Sequence, residues 1–353
     1  MGKPRAFWAT LPPEAAVGKQ LGYASAQAAL RVGLSEFIEE DSESNIAIHL
    51  IDPEHFVPIE GKVNVLLTMW ESYDIPSWLI KKIDKADYVL TCSKFCLNVL
   101  REHLGRRIWY CPLGVDTDSF SFHPRKWDPK AGETFTWLCV GTMDPRKSEY
   151  VDLIWRNFLE PMGSRVRLLY KTTGVDAEEF ATTAKELSEG REVSCSNGIV
   201  RLSNLELDTR FLTTLNLVEV MHQAHGYLSL HSGEGFGLPT LEALATGLPV
   251  VVTDYSGTAD FCSKRTAFPV KAGKAVISLN LIPGSQGPVP GAYLARTRVP
   301  ILEDVGSAIR DVMVDYEAAM ARGARGAALA KAFSWRSAAK AMLKVIKLAE
   351  RHN

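Results

Sequence analysis

Short apolar segments alternate with segments of helical periodicity in the first third of the chain. Each apolar segment has the length of a buried strand, and the segments between them repeat apolar residues three and four positions apart. The predicted strands span 5–10, 45–51, 63–69, 87–92 and 107–111, and the predicted helices span 21–34, 76–85 and 94–104. Such alternation is typical of a parallel sheet covered by helices on both faces.

The same alternation resumes after a polar segment, HPRKWDPKAG at 123–132, whose two prolines indicate a linker. Beyond it, the predicted strands span 135–140, 165–171, 199–202, 227–231 and 249–253, and the predicted helices span 177–189, 238–245 and 334–353. The sequence therefore predicts an α/β protein with two Rossmann-like domains, 1–130 and 131–333, followed by a C-terminal helix.

The composition is that of an ordinary globular protein. The 353 residues are 46% hydrophobic and 23% charged, which is enough to bury two cores. The chain has no apolar run of about 18 residues and no apolar signal segment near its start, so we expect a soluble, cytoplasmic protein. None of the six cysteines forms a C-x-x-C pair, so we expect reduced thiols and no metal site.

The segment 231–261, HSGEGFGLPTLEALATGLPVVVTDYSGTADF, places a glycine-rich turn between a strand and a helix. Gly235 and Gly237 allow the backbone to approach a ligand closely. The proline suits the first turn of a helix, and the free N–H groups of that turn can hold an anion. Glu234 lies in the turn, and Glu242 lies about one turn inside the helix. The segment therefore predicts a phosphate site in which one acid can face a sugar and the other a ribose.

This segment resembles the retaining glycosyltransferases of the GT-B fold, the sucrose-synthase and mannosyltransferase-like group. The shared signature is a Glu, the turn G-F-G-L-P, a second Glu eight positions after the first, and a following G-x-P-V-V. The resemblance implies two domains that face each other across a cleft and a last helix that crosses back onto the first domain. It also implies transfer of a hexose from a UDP- or GDP-sugar, with no separate cofactor.

The resemblance assigns roles to individual residues. Glu234 would contact the donor sugar beside the reacting carbon, and Glu242 would hold the ribose hydroxyls of the nucleotide. The main chain around the turn would lie against sugar and phosphate, at Gly235, Phe236, Gly237 and Leu238. Trp70 and Glu71, a pair that a subgroup of these enzymes also carries, would end a strand at the interdomain cleft; the alternative is a core Trp and a capping Glu.

A second candidate turn, GTMDPRKS at 141–148, follows the strand predicted at 135–140. Two cations after the carboxyl end of a strand and beside a helix N-terminus suit a diphosphate leaving group. In the resembling family this turn supplies an Arg and a Lys to the donor pyrophosphate, so we expect Arg146 and Lys147 to act in catalysis. Gly141 and Thr142 would also contact the donor, Arg201 would lie near the nucleobase, and no metal ion is implied.

The acceptor stays open between a saccharide, a lipid-linked sugar and a hydroxymethylated base in DNA. Three basic residues with a Trp nearby in the sequence could contact a DNA backbone, namely Arg101, Arg106 and Arg107 with Trp109. Residues 1–130 hold 15 Lys and Arg against 17 Asp and Glu, however, so no broad polyanion-binding field follows. A non-catalytic nucleotide-sugar-binding protein is an alternative of another class, whereas a dehydrogenase is disfavoured because no G-x-G-x-x-G follows the first strand.

The last predicted helix has a basic face. Its cations recur at spacings of four and three: Arg336, Lys340, Lys344, Lys347 and Arg351. The face is either the solvated side of a packed amphipathic helix or a contact for an anionic membrane or a nucleic acid. The segment 271–300, rich in proline and glycine, receives no function from the sequence.

Overall fold

The computed structural model describes residues 3–9, 21–105, 108–187, 190–280 and 293–351. Within these residues the chain forms two large, mainly parallel sheets, as the alternating pattern predicts. The end of the first predicted strand at residue 10, the end of the helix predicted at 177–189, and Arg106 and Arg107 lie outside the described residues.

The first sheet has six strands in this part of the chain, all paired in parallel in the order β2-β1-β3-β4-β5-β6. The strands are β1 (Arg5–Trp8), β2 (Glu39–Glu40), β3 (Ile46–Leu50), β4 (Val63–Thr68), β5 (Tyr88–Thr91) and β6 (Ile108–Tyr110), and the helices between them are α1 (Leu21–Ser35), α2 (Ser77–Ile83) and α3 (Lys94–Leu104). Every residue of β3 and β5 is buried, as expected for a parallel sheet covered on both faces.

The second sheet has the order β14-β13-β12-β7-β8-β11-β10-β9 within the described residues. Its strands are β7 (Phe135–Val140), β8 (Val166–Lys171), β9 (Val193–Ser196), β10 (Ile199–Leu202), β11 (Leu205–Asp208), β12 (Gly226–Ser229), β13 (Val250–Thr253) and β14 (Phe268–Val270). The connecting helices are α4 (Pro145–Ile154), α5 (Ala177–Leu187), α6 (Thr214–Gln223) and α7 (Leu238–Ala245). The strand β10 runs antiparallel to both of its neighbours, and the other pairs are parallel.

Among the strands of the two large sheets, the pattern of apolar residues missed β2, β9, β11 and β14. Their sequences, EE, VSCS, LELD and FPV, contain no uninterrupted run of strand-forming apolar residues, unlike predicted strands of similar length such as β5 (YVLT) and β13 (VVVT). The consequence for the site is largest at β11, because this strand, and not the predicted β10, pairs in parallel with β8.

Three helices complete the chain: α8 (Leu302–Val314), α9 (Tyr316–Ala330) and α10 (Trp335–Arg351). The last of them packs on α1 and on β3, β4 and β5 of the first sheet, so the expected crossing back onto the first domain is confirmed. The start of α10 lies so close to the first domain that a Cβ atom on Gly114 would stand 2.3 Å from the Trp335 backbone nitrogen. The two sheets fall on either side of the linker, and the exact domain boundaries remain predictions.

A two-stranded hairpin, β15 (Ala272–Asn280) with β16 (Tyr293–Pro300), occupies the segment that has no function from the sequence. It reaches the first domain: the Arg296 guanidinium donates to both carboxylate oxygens of Asp74, with a shortest distance of 2.7 Å. The Tyr73 backbone N–H also donates to the Arg296 carbonyl at 3.1 Å. The hairpin therefore ties the second domain to the loop that follows β4.

No helix among the described residues is long and apolar enough to span a bilayer.

Candidate active site

A cavity of about 500 Å³ lies between the carboxyl ends of the two sheets. Cavity-lining residues between 22 and 113 form its first-domain wall, and those between 140 and 242 form its second-domain wall. Trp70 and Glu71, which follow β4, lie on the first-domain wall, so their expected place at the cleft is confirmed. The cavity is also where ligands bind in open α/β folds, beyond the carboxyl ends of parallel strands.

The glycine-rich turn brings the backbone of the two domains together. Gly237 has a φ of +94°, which only glycine adopts freely, and it directly precedes α7. A Cβ on Gly235 would lie 2.6 Å from the Met69 sulfur atom, and one on Gly233 would lie 2.4 Å from the Glu71 carbonyl oxygen. Phe236, Gly237 and Leu238 line the cavity, while Gly235 is the position at which the first domain packs onto the turn.

Glu234 and Lys147 form an ion pair inside the cavity, with 2.6 Å between Lys147 Nζ and Glu234 Oε2. Burial alone would raise the pKa of Glu234, but the charges of Lys147 and Arg146 outweigh it and hold the pKa below its usual value. His231 lies beside the pair and donates or accepts at Thr258 Oγ1, 3.1 Å away. Burial lowers the pKa of His231 to about 4, so the imidazole is neutral and the carboxylate is charged at neutral pH.

Arg146 connects the two walls of the cavity. Its guanidinium pairs with Glu71 of the first domain and, at 3.1 Å, with Asp144 of its own turn. Asp144 also caps α4, because its carboxylate accepts the Arg146 backbone N–H at 3.0 Å, and Pro145 begins the helix. The sequence Asp-Pro-Arg-Lys therefore sets the helix start and directs both cations into the cleft.

Glu242 lines the cavity from within α7, one turn beyond Leu238. Burial raises its pKa to about 7. Gly141 and Thr142, which follow β7, line the second-domain wall, and the Tyr170 hydroxyl holds this turn by donating to the Thr142 carbonyl at 2.8 Å. The structure thus brings together the residues predicted from the two turns, except for Gly235, which packs against Met69.

Arg201 is not brought to the cleft, which corrects the expected position of this residue. It lies on β10, pairs with Glu206 at 3.1 Å and is exposed. Because β10 is antiparallel to β11, its carboxyl end points away from the cavity. The segment that follows β11 reaches the cavity instead and contributes Phe211 and Leu212.

Several lining residues escaped the sequence prediction. Lys171, at the carboxyl end of β8, is buried and donates to the Asp208 carbonyl at 3.1 Å, and burial lowers its pKa. Others follow strand ends or begin α1, namely Tyr23, Asp52, Glu54, Asp144, Thr172 and Phe211. In the sequence, these residues are marked only by lying just after a strand or at the start of a helix, and many other residues share that position.

Asp52, Glu54 and His55 form the one group of three potential metal ligands that the described ranges contain, with ligand atoms within 4.8 Å of one another. Asp52 accepts from His55 Nδ1 at 2.8 Å, so the group already has internal hydrogen bonds. The expectation that no metal acts in this site stays a prediction.

Residues 121–342 match the model of a family described as family 4 glycosyltransferases in conflict systems. The chain belongs to this family. No curated protein matches the sequence.

Solved structures share the fold of nearly the whole chain. Sucrose-phosphate synthase from Thermosynechococcus elongatus is 15% identical with a TM-score of 0.59, covering 98% of this chain and 82% of its own. HepE of Anabaena, solved with UDP and glucose, is 11% identical with a TM-score of 0.64, covering 98% and 99%. WaaG, a glycosyltransferase of lipopolysaccharide biosynthesis, is 12% identical with a TM-score of 0.60, covering 97% and 99%. The glycosyltransferase therefore has the GT-B fold, two Rossmann-like domains that face each other across a cleft.

The raised pKa of Glu242 predicts a pH-dependent stability. The folded state holds this proton up to about pH 7, whereas the unfolded chain releases it near 4.5, so the contribution of Glu242 to stability is greatest below pH 4.5 and is lost as the pH rises to 7. Urea unfolding at pH 5 and pH 8 measures it. Between pH 5 and pH 8, the free energy of unfolding of the wild type should fall by up to about 3 kcal/mol relative to that of Glu242→Gln. An unchanged difference between the two proteins would contradict the shift.

Proposed function

We propose that the enzyme transfers a hexose from a UDP- or GDP-sugar to a hydroxyl group, with retention of the anomeric configuration. The observation that carries this proposal is the meeting of Arg146, Lys147, Glu234 and Glu242 around one cavity at the starts of α4 and α7. The distance of eight positions between the two acids supports the retaining group in particular, and the GT-B fold supplies the cleft in which the donor would bind. No separate cofactor or metal ion is proposed.

The donor diphosphate is assigned to Arg146 and Lys147. Both cations are directed into the cleft, and each is held by a carboxylate that a diphosphate can replace. The N-terminus of α7, at Gly237 and Leu238, adds backbone N–H groups and a positive dipole end. The same groups then stabilise the charge that develops on the phosphate as the sugar departs.

The nucleoside is assigned to the other end of the second-domain wall. Glu242 lies one helical turn from the proposed phosphate position, where its carboxylate can accept hydrogen bonds from two ribose hydroxyls. Phe211 lines the same cavity and is 77% exposed, so its ring is available to cover a nucleobase. Phe211 thereby takes the place that the sequence assigned to Arg201.

Same-face attack is the proposed route of transfer. The bond between the sugar C1 and the phosphate oxygen breaks while the bond between C1 and the acceptor oxygen forms. The acceptor proton passes to the departing phosphate oxygen, so no covalent sugar on the protein is required. Glu234, released from Lys147 by the diphosphate, orients the sugar hydroxyls and offsets the positive charge at C1.

Specific contacts in the structure disfavour the two alternative functions, a DNA-modifying enzyme and a non-catalytic sugar-nucleotide binder. Trp109 packs against Tyr88 with ring centroids 5.4 Å apart and joins the apolar core, which disfavours base stacking in a DNA-modifying enzyme. Arg101, on α3, is exposed, but Trp109 offers no exposed aromatic face on which a base could stack. A non-catalytic sugar-nucleotide binder would not need both Glu234 and Lys147 in the cavity.

The kinetic variants separate binding from chemistry. Glu242→Gln should mainly raise the donor KM, because it weakens ribose binding equally in ground and transition states, and Glu234→Gln should mainly lower kcat. Arg156→Ala, an exposed change two residues beyond the end of α4, is the control and should alter neither constant. Proton NMR of the fresh product should show the anomeric configuration of the donor. An inverted product, or full kcat in Glu234→Gln, would contradict the assignment.

The basic face of α10 is proposed as a contact for an anionic membrane surface. Its five cations are exposed, while the opposite side of the helix is buried on the first domain, and Arg336 pairs with Glu36 at 2.9 Å. Reversal of Lys340, Lys344 and Lys347 to Glu should weaken cosedimentation with phosphatidylglycerol vesicles and flatten its salt dependence. The donor KM should stay at its wild-type value. Equal cosedimentation of both proteins would mean that this face is simply solvated.

A further inference from the structure

The first-domain wall of the cavity is acidic, whereas the second-domain wall carries cations and carboxylates together. The cations that line it all come from the second-domain wall in the part of the chain that the structure describes, as Arg146, Lys147 and Lys171. The first-domain wall contributes carboxylates instead, as Asp52, Glu54 and Glu71, and no Lys or Arg among the described lining residues. The proposed function assigns the donor diphosphate and nucleoside to the second-domain wall, which leaves the first-domain wall to the acceptor. The charge of this wall therefore bears on which acceptors can bind.

Local hydrogen bonds fix these carboxylates at the cavity. Asp52 accepts the backbone N–H groups of Glu54 and His55 at 3.0 and 3.2 Å and the His55 Nδ1 at 2.8 Å. The nearby Lys82 ammonium donates to the Glu54 backbone carbonyl, so its hydrogen bond does not use the Glu54 carboxylate. Oε2 of Glu54 is enclosed and finds no hydrogen-bond donor within the described ranges.

Aromatic rings stand beside the carboxylates. Trp70 lines the cavity, and its indole N–H is held by the Asp74 carbonyl at 2.9 Å, so the ring has a fixed orientation. Tyr23, at the start of α1, lines the same wall. An aromatic ring offers an apolar surface to the C–H face of a sugar ring, and carboxylates accept hydrogen bonds from its hydroxyls.

Because the wall combines these groups, we infer that the acceptor is a saccharide without phosphate or carboxylate groups, either uncharged or amine-bearing. This inference rests on the proposed function of the cleft. A phosphate would stand near three carboxylates on a wall with no Lys or Arg among its described lining residues, and Lys82 behind Glu54 donates to a backbone carbonyl. Like charges in a partly enclosed site repel strongly. The same repulsion disfavours a nucleic-acid backbone as the acceptor.

The test compares one sugar ring in three charge states. Glucosamine, glucose and glucose 6-phosphate are added separately to enzyme and donor, and release of nucleoside diphosphate above the rate with donor alone is measured. A duplex with hydroxymethylated cytosines is the fourth probe. We expect kcat/KM for glucosamine and glucose to exceed that for glucose 6-phosphate at least tenfold in low salt, with the gap narrowing in high salt. Equal values, or a preference for the phosphate or the duplex, would overturn the inference.

Variants of the first-domain wall then test whether its carboxylates cause the discrimination against glucose 6-phosphate. Asp52→Asn with Glu54→Gln removes two charges but keeps an oxygen that can accept the backbone N–H groups at position 52, so the fold should persist. The variant should discriminate less against glucose 6-phosphate, while Glu60→Gln, an exposed change outside the cavity, should behave as wild type. Unaltered discrimination in the double variant would contradict the role of the wall. So would acceptance of glucose 6-phosphate that appears with Mg²⁺ and disappears with EDTA, because the carboxylates would then hold a cation.

Calorimetry with UDP and GDP distinguishes failure of the acceptor inference from failure of the proposed function. Binding of one nucleotide combined with a preference for phosphorylated acceptors would overturn this inference and leave the donor assignment in place. Failure to bind either nucleotide would overturn the proposed function and this inference together.

Discussion

Two adjacent cations at the start of α4 are the constraint on which the cleft depends. Arg146 and Lys147 are each about 20% exposed, and a charge so far removed from water requires a partner. Glu71, from the opposite domain, and Asp144 compensate Arg146, while Glu234 compensates Lys147. In the absence of donor, these carboxylates occupy the positions that we assign to the diphosphate. Donor binding is thus an exchange of anions, and it costs less than burying a charge anew.

The pair between Arg146 and Glu71 also joins the two domains, and the surrounding contacts explain how closely they approach. The loop after β4 packs directly against the backbone of the glycine turn. The next part of the same loop is held by the ion pair between Arg296 and Asp74. The helix α10 returns to the first domain and packs on its sheet. One short segment of the first domain, from Met69 to Asp74, therefore makes contacts with the glycine turn, with Arg146 and with the hairpin. We expect a change in any of these contacts to alter the position of Glu71 in the cavity.

The sequence predicted the parts of the site that local chemistry determines. A glycine turn before a helix and an Asp-Pro-Arg-Lys helix start need particular residues at particular spacings, so both were found, with Trp70 and Glu71 at the cleft. Arg201 was misplaced because the direction of β10 depends on its antiparallel pairing with β9 and β11. The spacing of apolar residues within these short strands does not reveal that pairing. Asp52, Glu54 and Phe211 could not be selected for a related reason: they follow strand ends, but only the packing of the two domains decides which strand ends face the cavity.

The central claim is that a diphosphate displaces the carboxylates from Arg146 and Lys147. A crystal structure of the enzyme with an intact, unreactive UDP- or GDP-sugar analogue tests it most directly. The account predicts diphosphate oxygens within hydrogen-bond distance of Lys147 Nζ and the Arg146 guanidinium, the ribose hydroxyls on Glu242, and the pair between Arg146 and Glu71 broken. A diphosphate bound elsewhere in the cleft, with both ion pairs intact, would contradict it.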